Sequence, residues 1–233
     1  MFFDIYYVII VLPFVILSLI ASIRVKSTFH RYSRIPTVRG ITGAEAARMV
    51  LEQNGVRGVE IRRVSGQLTD HYNPKDNAIY LSEEVYDNRS AAACGVAAHE
   101  AGHAVQYAEE YLPAKVRLSI VPATNIASTA GIYLILIGLI FANTPVGYLA
   151  YAGILLFSMT VLFQLVTLPV EFNASRRAMV ALRDSGSLTR EEETGAARVL
   201  RAAAMTYVAA LAVAFAQLLR LILLVSRAND RRR

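Results

Sequence analysis

The stretch GVAAHEAGHAVQ, residues 95–106, decides how the rest of the chain is read. It sets His99 and His103 four residues apart, with Glu100 beside the first. On an α-helix, residues four apart lie one turn above each other on one face, so both imidazoles can converge on one cation. Glu100 is rotated about a quarter turn away, where it can reach a metal-bound water rather than the metal itself. Two neutral nitrogens, one further carboxylate and an open position suit zinc. Zinc brings the pKa of that water toward neutrality and polarises a carbonyl; Glu100 would take the water's proton and pass it to a leaving amine. Histidine is scarce here, four residues in 233, which argues against a chance pairing. Ala97, Ala98, Ala101, Gly102 and Ala104 are small, so neighbouring elements can approach this helix closely.

The remaining ligand can be sought by elimination. Glu109 points away from the histidine face, and Glu110 lies about 10 Å beyond His103 along the helix. No Asp, Glu, His or Cys then occurs until Glu171, just after Pro169. The other reading of Glu171 is a carboxylate at a helix N-terminus, favoured there by the dipole. His71 is a second candidate, either as a ligand or as a donor to the carbonyl oxygen as charge develops on it. An ordinary turn-region histidine is the alternative reading for His71. His30 falls in a basic stretch beside an apolar run. Cys94 is off the ligand face and reads as a small core residue.

The chain around this stretch is apolar. Hydrophobic residues make up 55% of it and the mean hydropathy is +0.41. Four apolar runs are long enough to matter, since a membrane span needs about 20 residues. They are residues 5–23, 118–142, 146–170 and 202–225. The net charge of +6 accompanies no nucleic-acid motif, so the basic residues read as cytoplasmic flanks of spans. Asp4 precedes the first run, while Arg24, Lys26, Arg31, Arg34 and Arg39 follow it. That asymmetry predicts an uncleaved anchor with its N-terminus outside, and Arg24 to Arg117 in the cytoplasm. The loop NTPVG, residues 143–147, carries no charge, as expected on the far side. The loop from Glu171 to Arg201 carries six arginines and fits the cytoplasm again. A hairpin of the second and third runs would thus return Glu171 to the side of the histidines. Arg227 and Arg231 to Arg233 oppose this pattern if the fourth run crosses, and Arg220 lies inside that run.

The resulting division is a membrane anchor (1–24), an α+β part with the His99–His103 helix (25–114), and a transmembrane hairpin (115–170). A cytoplasmic helical segment with Glu171 (171–201) and a C-terminal transmembrane helix with a basic tail (202–233) complete it. TGAE at Thr42 is a capping box, opening a helix that stops at Asn54-Gly55. VEIRRV from Val59 reads as a strand; DHYNPKDNAIYLS from Asp70 reads as strand, turn and strand. Ser90 can cap the histidine helix, and TREE from Thr189 is a second capping box.

DHYNPKDNAIYLSEEVY, GVAAHEAGHAVQ and LPVEFNASRRA, in that order, resemble the YugP-like membrane neutral zinc metallopeptidases of bacteria. The resemblance covers nearly the whole chain. More broadly the chain is similar to the gluzincins, including HtpX-like and CAAX-prenyl membrane proteases, in which a glutamate on a later helix completes the zinc site. The resemblance implies a membrane α-helical protein of about four transmembrane helices with a small α+β zincin-like domain. It implies Zn2+ held by His99, His103 and Glu171, and a bacterial cytoplasmic membrane location. In the broader group an aspartate often stands four residues after the ligand glutamate; here that position is Ser175, so support for a histidine must come from Ser175, Asn173 or elsewhere. AIYLS, residues 78–82, resembles the edge strand on which such enzymes align a peptide.

The leading expectation is a membrane-embedded zinc endopeptidase with its site at the cytoplasmic face, acting on proteins or peptides near the bilayer and not on nucleic acid. The alternative is a non-catalytic membrane scaffold or assembly factor with a structural metal, which would want a fourth protein ligand such as His71. A transporter would want ionisable groups deep in the apolar runs, where only Arg220 qualifies.

Overall fold

The structure, a computed structural model, describes residues 4–230. Met1 to Phe3 of the anchor and Arg231 to Arg233 of the basic tail lie outside the described residues. The fold is mostly helical, with one three-stranded sheet. A π-helical stretch (Tyr7–Val11) leads into α1 (Leu12–Tyr32), followed by α2 (Gly43–Gln53), β1 (Glu60–Val64), β2 (His71–Asn73) and β3 (Ala78–Ser82). Then come α3 (Glu83–Tyr86), α4 (Ala91–Ala108), α5 (Leu112–Ile140), a 3-10 turn (Pro145–Tyr148), α6 (Leu149–Asp184) and α7 (Arg190–Asp230). Among the described residues, four helical stretches are long and apolar enough to cross a membrane: Tyr7–Tyr32, Leu112–Ile140, Pro145–Asp184 and Arg190–Ala228.

The chain forms two compact units. One comprises residues 21–115 and 169–205 and holds the sheet. Its helix starts follow the sequence signals. Thr42 and Glu45 exchange both bonds of a capping box at α2. Ser90 Oγ accepts the Ala93 N–H at α4. Glu192 and Thr189 do the same reciprocally at α7. Small residues line the helix contacts of the core: Ala46 and Ala47 of α2 pack with Ala97, Ala98 and Ala101 of α4 and with Ala178 of α6, beside the larger Val105 and Leu182. Small side chains let helix axes come close. Gly102 marks a close approach of α4 to α6, since a Cβ there would lie 2.6 Å from the Ala174 carbonyl oxygen.

The sheet order is β1-β3-β2, with β3 parallel to β1 and antiparallel to β2. This corrects one expectation. AIYLS is the central strand, paired along both edges, and therefore cannot accept an added peptide. Its near-continuous burial is the physical signature of a central position, where a strand is covered on both faces. The open edge beside α4 is β2. The alternative reading of Glu171 also falls. The helix α6 runs without a break through Pro169 to Asp184, so Glu171 lies in its interior and not at a helix N-terminus. Proline removes one ladder bond from a helix but does not oblige a 36-residue helix to stop.

The other unit comprises the described residues up to Ile20, residues 116–168 and the described residues from Thr206 onward. Its helices α5 and α6 meet at Gly131 against Gly153 and at Gly138 against Ala150, where any Cβ would strike backbone within 3 Å. Small residues at such crossings are the usual means of close helix packing in a bilayer. Ile135, Ala150, Phe157, Leu221 and Val225 form its core. Arg220, buried on α7, donates from Nε to Asp4 Oδ2 at 3.0 Å, and its guanidinium lies 5.4 Å from the Tyr7 ring centroid. The arginine within the fourth run thus faces a partner inside its unit.

Candidate metal centre

The helix α4 presents His99 and His103 as the i, i+4 spacing requires, with ring centroids 4.7 Å apart and the planes nearly perpendicular. Opposite them stands Glu171 of α6, 2% exposed. Its Oε2 lies 3.3 Å from His99 Nε2 and 3.6 Å from His103 Nε2. One ligand atom from each of the three residues falls within 4.8 Å of the others. Ligand atoms sharing a tetrahedral zinc at about 2.0–2.1 Å stand about 3.3–3.4 Å apart. The donor set and its spacing therefore fit a zinc ion held by two imidazoles and one carboxylate. The close approach at Gly102 is what brings α6 near enough for Glu171 to meet both histidines.

The other ring nitrogens decide whether the inward ones can bind a cation. His103 Nδ1 lies 3.0 Å from Gln106 Oε1. The orientation of that amide is fixed, because Gln106 Nε2 donates to the Val170 carbonyl at 2.8 Å and to Asn173 Oδ1 at 2.9 Å. An oxygen thus faces His103, so Nδ1 carries the proton and Nε2 offers its lone pair inward. His99 Nδ1 lies 3.0 Å from Ser175 Oγ, which can play the same part. The position where an aspartate often stands is thus filled by a serine that reaches a histidine. Gln106 is the residue that sequence reasoning missed; its place three residues after His103, one helical turn away, was the signal that could have found it.

Burial works against a charged imidazole at His103, but the Glu171 and Glu100 carboxylates and the Gln106 oxygen outweigh it and hold its pKa above the ordinary 6.5. Where that imidazole is protonated, a cation entering the site displaces the proton. Glu100 is nearly buried, and its Oε2 accepts the Tyr72 backbone N–H at 3.0 Å. One accepted bond uses one of about four acceptor positions on a carboxylate, leaving capacity for a water's proton. The same bond ties β2 to α4. Nearby, Asp70 accepts the Ser82 N–H at 2.7 Å and the Ser82 hydroxyl at 3.1 Å, which stitches the start of β2 to the end of β3. Burial raises the Asp70 pKa, Ser82 opposes this, and the Glu100 charge adds to the rise.

The remaining candidates lie apart. His71 is exposed on β2, its ring stacked on Tyr80 with centroids 4.9 Å apart and its Nδ1 2.7 Å from the Thr69 carbonyl. It does not join the group of three. His30 bonds Arg34 on the surface. Cys94 is buried, its Sγ toward the Ile41 carbonyl, and burial pushes its thiol up to about 12.

Comparison with known proteins agrees with this chemistry. A family model described as "Putative neutral zinc metallopeptidase" matches residues 7–226. The chain is 44% identical over 214 residues to a Bacillus subtilis protein described as "Putative membrane protease YugP", covering 92% of this chain and 94% of the relative. No solved structure matches.

Proposed function

The chain belongs to the neutral zinc metallopeptidase family whose model it matches, and from that premise we propose that it is a membrane-embedded zinc endopeptidase. It hydrolyses peptide bonds in proteins at or near the bilayer. The observation that carries the reading is the convergence of His99, His103 and Glu171 beside Glu100. In it, those three residues hold zinc. When bound, zinc supplies Lewis acidity, making water a usable nucleophile near neutral pH and a carbonyl more electrophilic. Glu100 takes the proton from the attacking water and delivers it to the departing amine nitrogen. Ser175 and Gln106 hold the two imidazoles in the ligating tautomer. The open edge of the sheet next to Glu100 is β2, whose Tyr72 N–H touches that carboxylate, so a substrate adding to the sheet would extend along β2.

Two features of the sequence support a substrate close to the bilayer and a site on the cytoplasmic side. Glu171 is the first residue after the third apolar run, and His103 precedes the second run by a short segment. The loops bearing these residues are the arginine-rich ones. The decisive variant is Glu100→Gln. It should keep stoichiometric zinc and the fold while proteolysis falls by at least about 100-fold, the scale of a lost general base. Comparison of membrane proteomes from cells with wild-type and Glu100→Gln protein should show substrates accumulating in the variant. Undiminished cleavage by the variant sinks the reading. A metal-bound structure with His71 as a fourth protein ligand would favour the scaffold instead.

A further inference from the structure

We propose that Gln106, backed by Asn173 and Arg177, is a positioning relay that sets the His103 tautomer and locks together the two helices bearing the metal ligands. The inference rests on the reading of His99, His103 and Glu171 as zinc ligands. A histidine ligand binds a cation through one nitrogen only if the proton stays on the other, and the residue bonded to that other nitrogen decides this. At His103 that residue is a neutral amide at 1% exposure.

An amide can present either oxygen or nitrogen, so it fixes a tautomer only if it is itself fixed. Gln106 is held from behind. Its Nε2 has two oxygen acceptors, the Val170 carbonyl and Asn173 Oδ1, both from α6. Asn173 in turn is oriented by Arg177 Nε, which donates to the same Oδ1 at 2.7 Å. Arg177 Nη2 closes the circuit on Glu109 at 2.7 Å, immediately after the last residue of α4. Its guanidinium also lies 5.9 Å from the Tyr111 ring centroid. Each donor in this chain meets an oxygen that can only accept. The direction of every bond is therefore determined from Arg177 inward to His103 Nδ1. Reversing the Gln106 amide would set an N–H2 against His103 and an oxygen against two oxygens. Gln106 is on α4 and Glu109 follows its last residue; Val170, Asn173 and Arg177 are on α6. The relay thus holds both helices at the spacing the ligands need.

The test uses the full-length chain in detergent, loaded with zinc or cobalt. Zinc affinity is read by chelator competition. Exchangeable histidine N–H resonances are read by proton NMR of the cobalt form. Gln106→Leu should lower zinc affinity by about 10–100-fold. It should also erase the His103 Nδ1–H resonance while keeping that of His99. Asn173→Leu should weaken affinity in the same direction. Asn173→Asp, which still accepts from both Gln106 and Arg177, should restore it. That pair keeps the test decisive if Gln106→Leu fails to fold, and the rescue by aspartate is not expected of a residue that only fills space. Wild-type affinity and both resonances in the leucine variants of a protein that binds zinc normally would overturn the relay alone. Wild-type protein that takes up no stoichiometric zinc would overturn the metal centre, and the relay with it.

Discussion

His103 couples two demands that pull in opposite directions. The carboxylates that make the site attractive to a cation also hold a proton on the imidazole, raising its pKa above 6.5 against the effect of burial. Zinc competes with that proton for the same nitrogen. The sign follows directly. Above the raised pKa, His103 is neutral and the affinity is pH-independent as far as this residue is concerned. Below it, each binding event must expel a proton, so apparent affinity falls by about tenfold per pH unit for the one proton displaced. The decline therefore starts above pH 6.5, earlier than an isolated histidine would cause. Chelator competition from about pH 6 to about pH 9, with proton release followed in a weak buffer, measures it. A flat affinity across that range would contradict a His103 ligand bonded as described.

Between elements, the contact that matters most is that of α4 with α6 at Gly102. A methyl group there would meet the Ala174 carbonyl oxygen at 2.6 Å, and that atom belongs to backbone that cannot swing aside. Gly102→Ala should therefore push α6 away from α4, costing about 1–3 kcal/mol of stability. Because Glu171 moves with α6, zinc affinity should fall as well, while Ala101→Gly on the same helix should lose stability without a comparable loss of zinc. Thermal unfolding with and without zinc separates the two effects: the zinc-induced rise in Tm should shrink in Gly102→Ala. Much of this site was legible in sequence, because each signal was local or a forced elimination. The i, i+4 histidines, the capping residues Thr42, Ser90 and Thr189, and the carboxylate-free interval before Glu171 all follow from spacing along the chain. What was not legible depends on pairing across the chain. Nothing local in AIYLS says that β1 will join it from the other side and make it central. Pro169 signals a helix end by propensity, yet α6 continues past it. Gln106 has no signature as an orienting residue until Val170 and Asn173 are brought opposite it.

For the whole molecule, the distribution of arginines is the argument for orientation. Five basic side chains follow the first apolar run between Arg24 and Arg39, none occurs in residues 143–147, and six arginines lie between Glu171 and Arg201. Arg220, the charge within the fourth run, is paired with Asp4 and so does not forbid a crossing. The arginines after that run remain the opposing signal. A single buried cysteine makes the question tractable, since Cys94, with its thiol pushed up to about 12, should stay silent toward a membrane-impermeant maleimide in the folded protein. Three exposed positions then report three places: Arg57 in the unit that holds the histidines, Asn143 in the uncharged loop, and Ser226 near the end of α7. With the His99 site facing the cytoplasm and the fourth run crossing, Asn143→Cys and Ser226→Cys should label in intact cells, and Arg57→Cys only after permeabilisation. Labelling of Arg57→Cys from outside would place the site on the other face and exclude cytoplasmic substrates. Labelling of Ser226→Cys only after permeabilisation would mean that the last run packs without crossing, with the basic tail on the same side as the other arginines, as their positive charge alone would predict.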